Sequence, residues 1–338
     1  MLTAAVSVQV ALGFLPVCAF LLALLYLDSY KLMRLRTVLD LLVAGCIAAG
    51  IGYAANQGLL RGMGMDRRIL TRFAAPAIEE FLKALPILIL LRRKRIGFLI
   101  DAAIAGFAVG TGFALAENVY YASALPDTEP AVWLVRGFGT ALMHGGTTAA
   151  FSMLTKLLGD RRQSESWWLI APGLAVAFTI HSLFNNFIVS PMLSTVAIVL
   201  VLPPLLVLIF SRGERHLQSW LGSGFDLDSE LLKAIRSGDF AVSRTGQYLQ
   251  SLRQHFDGAV LADMLCYLRL QSELSLRAKG ILMMRENGFP VKKDVETAAK
   301  LAELRYLRHS IGRTGELAIA PIAHRSSHDI WQLQMLEE

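Results

Sequence analysis

The sequence predicts an all-α fold: a polytopic membrane helix bundle of about seven transmembrane helices, followed by a small helical soluble C-terminal domain. Hydrophobic residues make up 54% of the 338 residues, and the mean hydropathy is positive over the whole chain. This excludes an ordinary soluble enzyme. Apolar runs long enough to cross about 30 Å of hydrocarbon recur as far as Phe210. Beyond Phe210 the polarity becomes ordinary, which predicts a membrane domain over 1–210 and a soluble domain over 211–338.

The spans read, in order, from Ala4 to Leu27, Leu39 to Leu59, Phe73 to Leu91, Gly97 to Tyr121, Val132 to Leu158, Trp167 to Val189 and Met192 to Phe210. The first lacks a positive flank and is too long for a signal-peptide core, so it reads as a retained helix. Lys31, Arg34 and Arg36 follow span one, Arg92 to Arg95 follow span three, and Lys156, Arg161 and Arg162 follow span five. The loop with Asp127 and Glu129 and the turn at Ser190 and Pro191 carry no such charge. This alternation predicts an outside N-terminus and a cytoplasmic tail. The loop with Arg61, Arg67, Arg68 and Arg72 runs against it. The expected location is a bacterial inner (plasma) membrane, multi-pass, with the lipid bilayer as the first partner. Because the basic residues cluster at helix ends, the net charge of +6 does not point to nucleic acid. Cys18, Cys46 and Cys266 have no pairing or zinc-ligand spacing and read as apolar filler.

In the tail, apolar residues recur at helical spacing from Asp263 to Arg285, and Gly288-Phe289-Pro290 stops that helix. A second helix runs from Lys293 to His309, with Asp294 near its start and Gly312 as its stop. Such helices bury a small core without a catalytic motif, which predicts an interaction or regulatory domain with a cytoplasmic partner. His324 and His328 have metal-ligand spacing, but their polar surroundings read as a solvated tail.

The informative feature is polar. Glu79, Glu80 and Lys83 lie in one apolar segment, Glu117 in the next, His144 in the third, and His181 and Asn185 in the fourth. Three charges at the middle of a lipid-facing helix would cost about 9 kcal/mol against about 4 kcal/mol of apolar gain. These side chains must therefore face other helices or a water-filled cavity. At about 1.5 Å of rise per residue, Glu79, Glu117, His181 and His144 lie about 9, 6, 12 and 18 Å below the same face of the bundle. Helices alternate in direction, so a shared level implies one site in the outer half. Lys83 is one turn from both carboxylates. Arg136 lies about two turns before His144, where it can pair with a carboxylate or hold a substrate carbonyl. Gly106, Gly110 and Gly112 allow close helix approach, bringing Glu117 and Asn118 toward the others. Asp40 and Asp101 lie beside basic clusters and read as interface charge balance.

These residues carry a resemblance. EEFLK (Glu79 to Lys83), GFALAEN (Gly112 to Asn118), the Arg136–His144 pair and HSLFN (His181 to Asn185) resemble the motifs of PrsW-type intramembrane proteases, relatives of the CAAX prenyl endopeptidase and Abi superfamily. The likeness covers about residues 70 to 190. It implies peptide-bond cleavage in or beside the membrane of a membrane-anchored protein substrate, in some members an anti-sigma factor. The wider superfamily likeness runs through Phe113 and Glu117, where the prenyl endopeptidases have His in place of Glu, and through His181 and Asn185.

Amide hydrolysis needs an activated water, a proton acceptor and an oxyanion donor. Of the two carboxylates on one turn, Glu79 is the first choice as base and Glu80 the second. Glu117, His144 and His181 make a two-His, one-Glu set of the type that holds hydrolytic zinc, so Zn2+ is the expected cofactor. In a metal-free alternative the same residues hold the water, and His181 with Asn185 forms the oxyanion hole. A polytopic transporter or proton-coupled permease also uses intramembrane Glu, Lys, Arg and His. No inverted repeat is visible, however, and the polar residues share one level. A catalytically inert receptor would not need an intact set of acid, base and ligand residues.

Overall fold

The computed structural model describes residues 2–124, 128–162, 166–291, 294–323 and 327–337. Asp127, Lys293 and His324 lie outside the described residues. Every described element is helical, and the chain divides into two compact units, Met1–Glu214 and Arg215–Glu338.

In the first unit, helices Leu2–Leu27, Leu35–Gln57, Ala75–Arg92, Leu99–Ala124, Leu142–Arg162, Ala171–Asn185 and the first part of Pro191–Ser237 follow the apolar runs. Four runs are less uniform than their hydropathy implies: Leu35–Gln57 passes into a π-helical turn, Gly58–Gly62. A π-helical turn, Leu70–Ala74, precedes Ala75–Arg92, and a 3-10 turn, Trp167–Ile170, precedes Ala171–Asn185. The predicted fifth span is a short helix, Pro130–Leu134, a π-helical stretch, Val135–Ala141, and then Leu142–Arg162. The last helix continues through the polar sequence to Ser237, because the apolar run ends at Phe210 while helix-forming residues continue.

Among the described residues, four helices are long and apolar enough to cross a membrane: Leu35–Gly62, Leu99–Ala124, Trp167–Asn185 and Pro191–Ser237. Ala75–Arg92 is not among them, since Glu79, Glu80 and Lys83 interrupt its apolar sequence. Lipid-facing character is plain on Leu35–Gln57. Leu39, Val43, Ile47 and Ile51 form an exposed stripe at four-residue spacing, while Val38, Leu41, Gly45, Ala48 and Gly52 are buried on the opposite face. An apolar stripe of this kind is stable only against hydrocarbon, so the first unit is a membrane protein.

Leu99–Ala124 is the central helix, buried all round from Ile100 to Ala114. Its glycines permit this. A Cβ on Gly106 would run into the backbone at Thr148 and Ala149, one on Gly110 into His144 and Gly145, and one on Gly112 into Leu42 on the other side. Gly106 and Gly110, four apart, form a small-residue seam against Leu142–Arg162. Gly45 on Leu35–Gln57 meets the backbone of Val109 and Phe113 in the same manner. Contact at backbone distance fixes the depth of His144 relative to Glu117.

The second unit has a helical core. Gly258–Glu286 and Val295–Ile319 pack Leu261, Met264, Tyr267, Leu270 and Leu274 against Leu301, Leu304, Leu307 and Ile311. Each such fully buried side chain contributes about 1.5–3 kcal/mol. Asp294 caps the second helix by accepting from the Glu296 amide at 3.0 Å. Gly288, at φ 73°, follows the end of the first. Gly312, at φ 64° and ψ 175°, breaks Val295–Ile319 into two helices where the sequence placed a stop.

Gly110→Ala is expected to destabilise the protein by about 1–3 kcal/mol, because the new methyl meets immovable backbone. Gly50→Ala, which meets nothing within 4 Å, is expected to be neutral or stabilising by about 0.5–1 kcal/mol. Thermal unfolding in detergent micelles measures both; equal effects of the two would remove the seam from the account.

Candidate active site

The site is built from four helices and the π-helical stretch. Ala75–Arg92 presents Glu79, Glu80 and Lys83. The Lys83 side chain is wholly buried, with Nζ 2.6 Å from Glu80 Oε1, 3.2 Å from His144 Nδ1 and 5.0 Å from the centroid of the Phe113 ring. Glu80 Oε1 gathers further partners: His181 Nδ1 at 2.7 Å and the Thr147 hydroxyl at 3.4 Å. A carboxylate this enclosed must accept from every donor around it, so the contact reads as His181 Nδ1–H donating to Glu80, with Nε2 on the far side of the ring.

That Nε2 lies 3.8 Å from Glu79 Oε2. The other oxygen of Glu79 accepts from Asn56 Nδ2 at 3.1 Å, and Asn56 comes from Leu35–Gln57. The His144 and His181 rings meet edge to face with centroids 4.8 Å apart. Thr147 and Thr148 hydroxyls both donate to the His144 carbonyl, at 3.2 and 2.9 Å, tightening the turn that follows it.

Glu117 and Asn118 come from the end of the central helix. Glu117 Oε2 is 3.2 Å from Arg136 Nη and 3.2 Å from His144 Nε2. Arg136 lies in the π-helical stretch Val135–Ala141, and its Nε donates to Asn118 Oδ1 at 2.9 Å. Its guanidinium stacks 3.7 Å from the centroid of Tyr121. Asn118 in turn donates to the Gly13 carbonyl at 2.7 Å, which ties the first helix to the site. Asn185 Nδ2 donates to the Thr71 carbonyl at 3.1 Å and Ser182 Oγ to the Arg72 carbonyl at 2.6 Å. These bonds tether the end of Ala171–Asn185 to the turn that leads into the carboxylate helix.

Glu79, Glu80, Lys83, Glu117, His144 and His181 therefore meet in one cluster, with Arg136 and Asn118 beside it and Asn185 among its tethers. Among the described residues, one group of three has ligand atoms that all lie within 4.8 Å of one another: Glu79, His144 and His181. The sequence grouped Glu117 with the two imidazoles, whereas the geometry brings a Glu79 oxygen near both. The difference is one of helix face, since Glu117 is held on the Arg136 side of His144. The three carboxylates also differ in access: the side chains of Glu117, Glu79 and Glu80 are 26%, 14% and 2% exposed.

Asn56, Thr147 and Tyr121 were not singled out from the sequence. Asn56, in YAANQ near the end of an apolar span, carried the same signal as Asn185, a polar side chain at the level of the carboxylates. Tyr121 and Thr147 carry no such signal, because Tyr is ordinary at a membrane boundary and Thr is ordinary in a helix interface.

Two imidazole nitrogens and one carboxylate oxygen at this separation match the donor set of a catalytic zinc site in type and number. In formal charge the cluster holds three carboxylates against Lys83 and Arg136, an excess that a divalent cation offsets. The outer contact of His181 with Glu80 is the kind that orients a metal-bound imidazole. The residues fit the group.

A model of the PrsW family of intramembrane metalloproteases matches residues 29–209, over half of the chain and every carboxylate, lysine, arginine and imidazole of the cluster. No curated protein and no solved structure matches the chain. A peptidase family with this buried carboxylate and imidazole centre does not favour the transporter or permease alternative. Sequence, apolar helices and family match agree: the chain belongs to the PrsW family of intramembrane metalloproteases.

Proposed function

We propose that the chain is an intramembrane endopeptidase whose Glu79, His144 and His181 hold one Zn2+ and whose Glu117 is the general base. The convergence of those three ligand atoms within 4.8 Å carries the reading. Bound there, zinc supplies Lewis acidity, polarising a peptide carbonyl and acidifying a water.

The protein residues do the rest. Glu80, fixed between Lys83 and His181, holds the His181 proton on Nδ1 and so keeps Nε2 turned toward Glu79. Lys83 compensates the charge of the buried Glu80. Glu117 is the most accessible of the three carboxylates. It accepts a proton from water and returns it to the leaving amine. Arg136, held in place by Asn118 and Tyr121, offers its guanidinium to the developing oxyanion. His144 links the two halves, because its Nε2 is also at hydrogen-bond distance from Glu117.

One observation favours a second reading. Both ring nitrogens of His144 are engaged, Nδ1 by Lys83 and Nε2 by Glu117. In a metal-free mechanism this relay and Glu79 hold the water directly.

The substrate is a membrane-anchored protein cut near the outer half of the bilayer, and the membrane unit crosses seven times with its N-terminus outside. Support comes from seven helical regions matching seven apolar runs, from the basic residues after spans one, three and five, and from the position of the site at one end of its helices. Anti-sigma factors enter as substrates only through the family resemblance.

Elemental analysis of detergent-purified protein, together with cleavage of membrane-anchored reporter peptides, tests the roles. Wild type is expected to hold about one zinc per chain. Glu117→Gln is expected to keep its metal and lose at least about a hundredfold in turnover. Glu79→Gln and His181→Ala should lose metal and turnover together, and Glu80→Gln should weaken metal affinity about 10- to 100-fold. Fully active metal-free protein would establish the second reading, and near-normal cleavage by a folded Glu79→Gln/Glu117→Gln variant would end both.

Topology is read by impermeant thiol labelling of intact cells. In a Cys18→Ala/Cys46→Ala background, Ser123→Cys is expected to label, whereas the exposed native Cys266 should label only after permeabilisation. The reverse pattern inverts the model and moves the cut to the cytoplasmic side.

A further inference from the structure

Residues 61–72 carry Arg61, Arg67, Arg68 and Arg72 against one acidic residue, Asp66. Arg61 lies in Gly58–Gly62, Arg67 and Arg68 in the short helix Arg67–Ile69, and Arg72 in Leu70–Ala74, all on the connection from Leu35–Gln57 to Ala75–Arg92. The four arginines are exposed. Among the described residues, none of their guanidinium groups is paired with a carboxylate. Asp66 is turned to the backbone instead, accepting from the Arg68 and Ile69 amides at 2.7 and 3.2 Å. On the outer face of the proposed topology, the preference for positive charge in cytoplasmic loops does not account for this cluster.

The stretch borders the active-site cluster on two sides. Arg61 and Arg67 act electrostatically on the Tyr120 hydroxyl. Tyr120 packs edge to face on Tyr121 with centroids 5.3 Å apart, and Tyr121 stacks on the Arg136 guanidinium that holds Glu117. These two arginines thus reach toward the end of the central helix, where the most accessible carboxylate lies. On the other side, the Arg72 carbonyl accepts from Ser182 and the Thr71 carbonyl from Asn185, both on the helix of His181. Glu79 follows Arg72 by about two helical turns. Exposed Met63, Ile69 and Phe73 are interleaved with the arginines, a mixture that suits the level of the bilayer surface.

We infer that this stretch is the docking site for an acidic segment of the substrate, the residues that immediately flank its membrane anchor, which Arg61, Arg67, Arg68 and Arg72 hold beside Glu117. The inference rests on the peptidase reading above and names the substrate class that this peptidase prefers. Guanidinium groups without a carboxylate partner are matched by carboxylates in charge and in planar, two-pronged geometry. Because the arginines border the cluster, an acidic segment bound there brings the adjoining peptide bonds to the site. Exposed ion pairs are individually weak, and several together give a preference on the order of tenfold. That preference acts on capture of the substrate, not on bond cleavage.

Cleavage by the full-length protein of membrane-anchored reporter peptides that differ only in the residues flanking the anchor, all Glu, all Gln or all Lys, tests the inference. Wild type is expected to favour the Glu reporter over the Gln reporter about tenfold in kcat/KM, with the difference in KM and reduced by added salt. The Lys reporter should be cleaved least. Arg61→Gln/Arg67→Gln/Arg68→Gln is expected to cleave all three reporters as wild type cleaves the Gln reporter, and Arg61→Lys/Arg67→Lys/Arg68→Lys to keep part of the preference. Arg72 stays in place because its carbonyl tethers the helix of His181. Equal cleavage of Glu and Gln reporters by wild type, or a preference undiminished in the Gln variant, would overturn the proposal and leave the peptidase reading standing. Loss of turnover on every reporter in the Gln variant would also overturn it, in favour of a structural role. Activity that depends on anionic vesicle lipid through these arginines, and not on reporter charge, would assign them to lipid headgroups instead. No cleavage of any reporter by wild type would overturn both readings.

Discussion

Burying Lys83 sets the terms for the membrane unit. An ammonium with no exposed side-chain surface is stable in an apolar bundle only if anionic and accepting groups surround it. Glu80 at 2.6 Å, His144 Nδ1 at 3.2 Å and the Phe113 ring do so here. Each partner then has its own requirement. Glu80 draws in the Nδ1 proton of His181, and that orients Nε2 toward Glu79. His144, pinned by Lys83 on one nitrogen, turns the other to Glu117, which Arg136 holds. One buried charge thus propagates through four helices and determines which atoms face which.

This network needs helices closer together than ordinary side chains allow. The central helix meets its neighbours at backbone distance through Gly45, Gly106, Gly110 and Gly112. In lipid there is no hydrophobic drive to bring helices together, so close packing and interhelical polar contacts must do it. The seam and the polar cluster supply these two terms, and they meet at His144, whose backbone packs on Gly110 and whose ring lies in the cluster. Bonds from Asn118 to Gly13, from Ser182 to Arg72 and from Asn185 to Thr71 extend the same connectivity to the first helix and to the turn before Glu79.

The second unit packs an apolar helical core of its own. Leu and Met side chains at helical spacing make its core, Asp294 caps a helix, and Gly288 and Gly312 adopt positive φ where helices end. That core is interrupted by the polar group of Asp228, Gln271, Ser275, Lys279 and Gln332, in which the Gln271 and Gln332 side-chain oxygens have no hydrogen-bond partner.

The sequence by itself determined which segments are helical, because the apolar runs and their polar interruptions are properties of the chain. It also determined which residues had to meet: charges too costly for lipid must face one another, and glycines at four-residue spacing mark where helices approach. The level shared by Glu79, Glu117, His144 and His181 followed from helix rise alone. Tertiary structure decided the pairing. Whether Glu79 or Glu117 joins the two imidazoles depends on helix rotation and on the side of His144 that each carboxylate reaches, and rotation is set by contacts such as Gly110 on His144 that no local pattern encodes. Asn56, Thr147 and Tyr121 joined the site for the same reason. So did the polar group beside Trp220, whose residues Asp228, Lys279 and Gln332 lie on three helices, each of ordinary polarity when read alone.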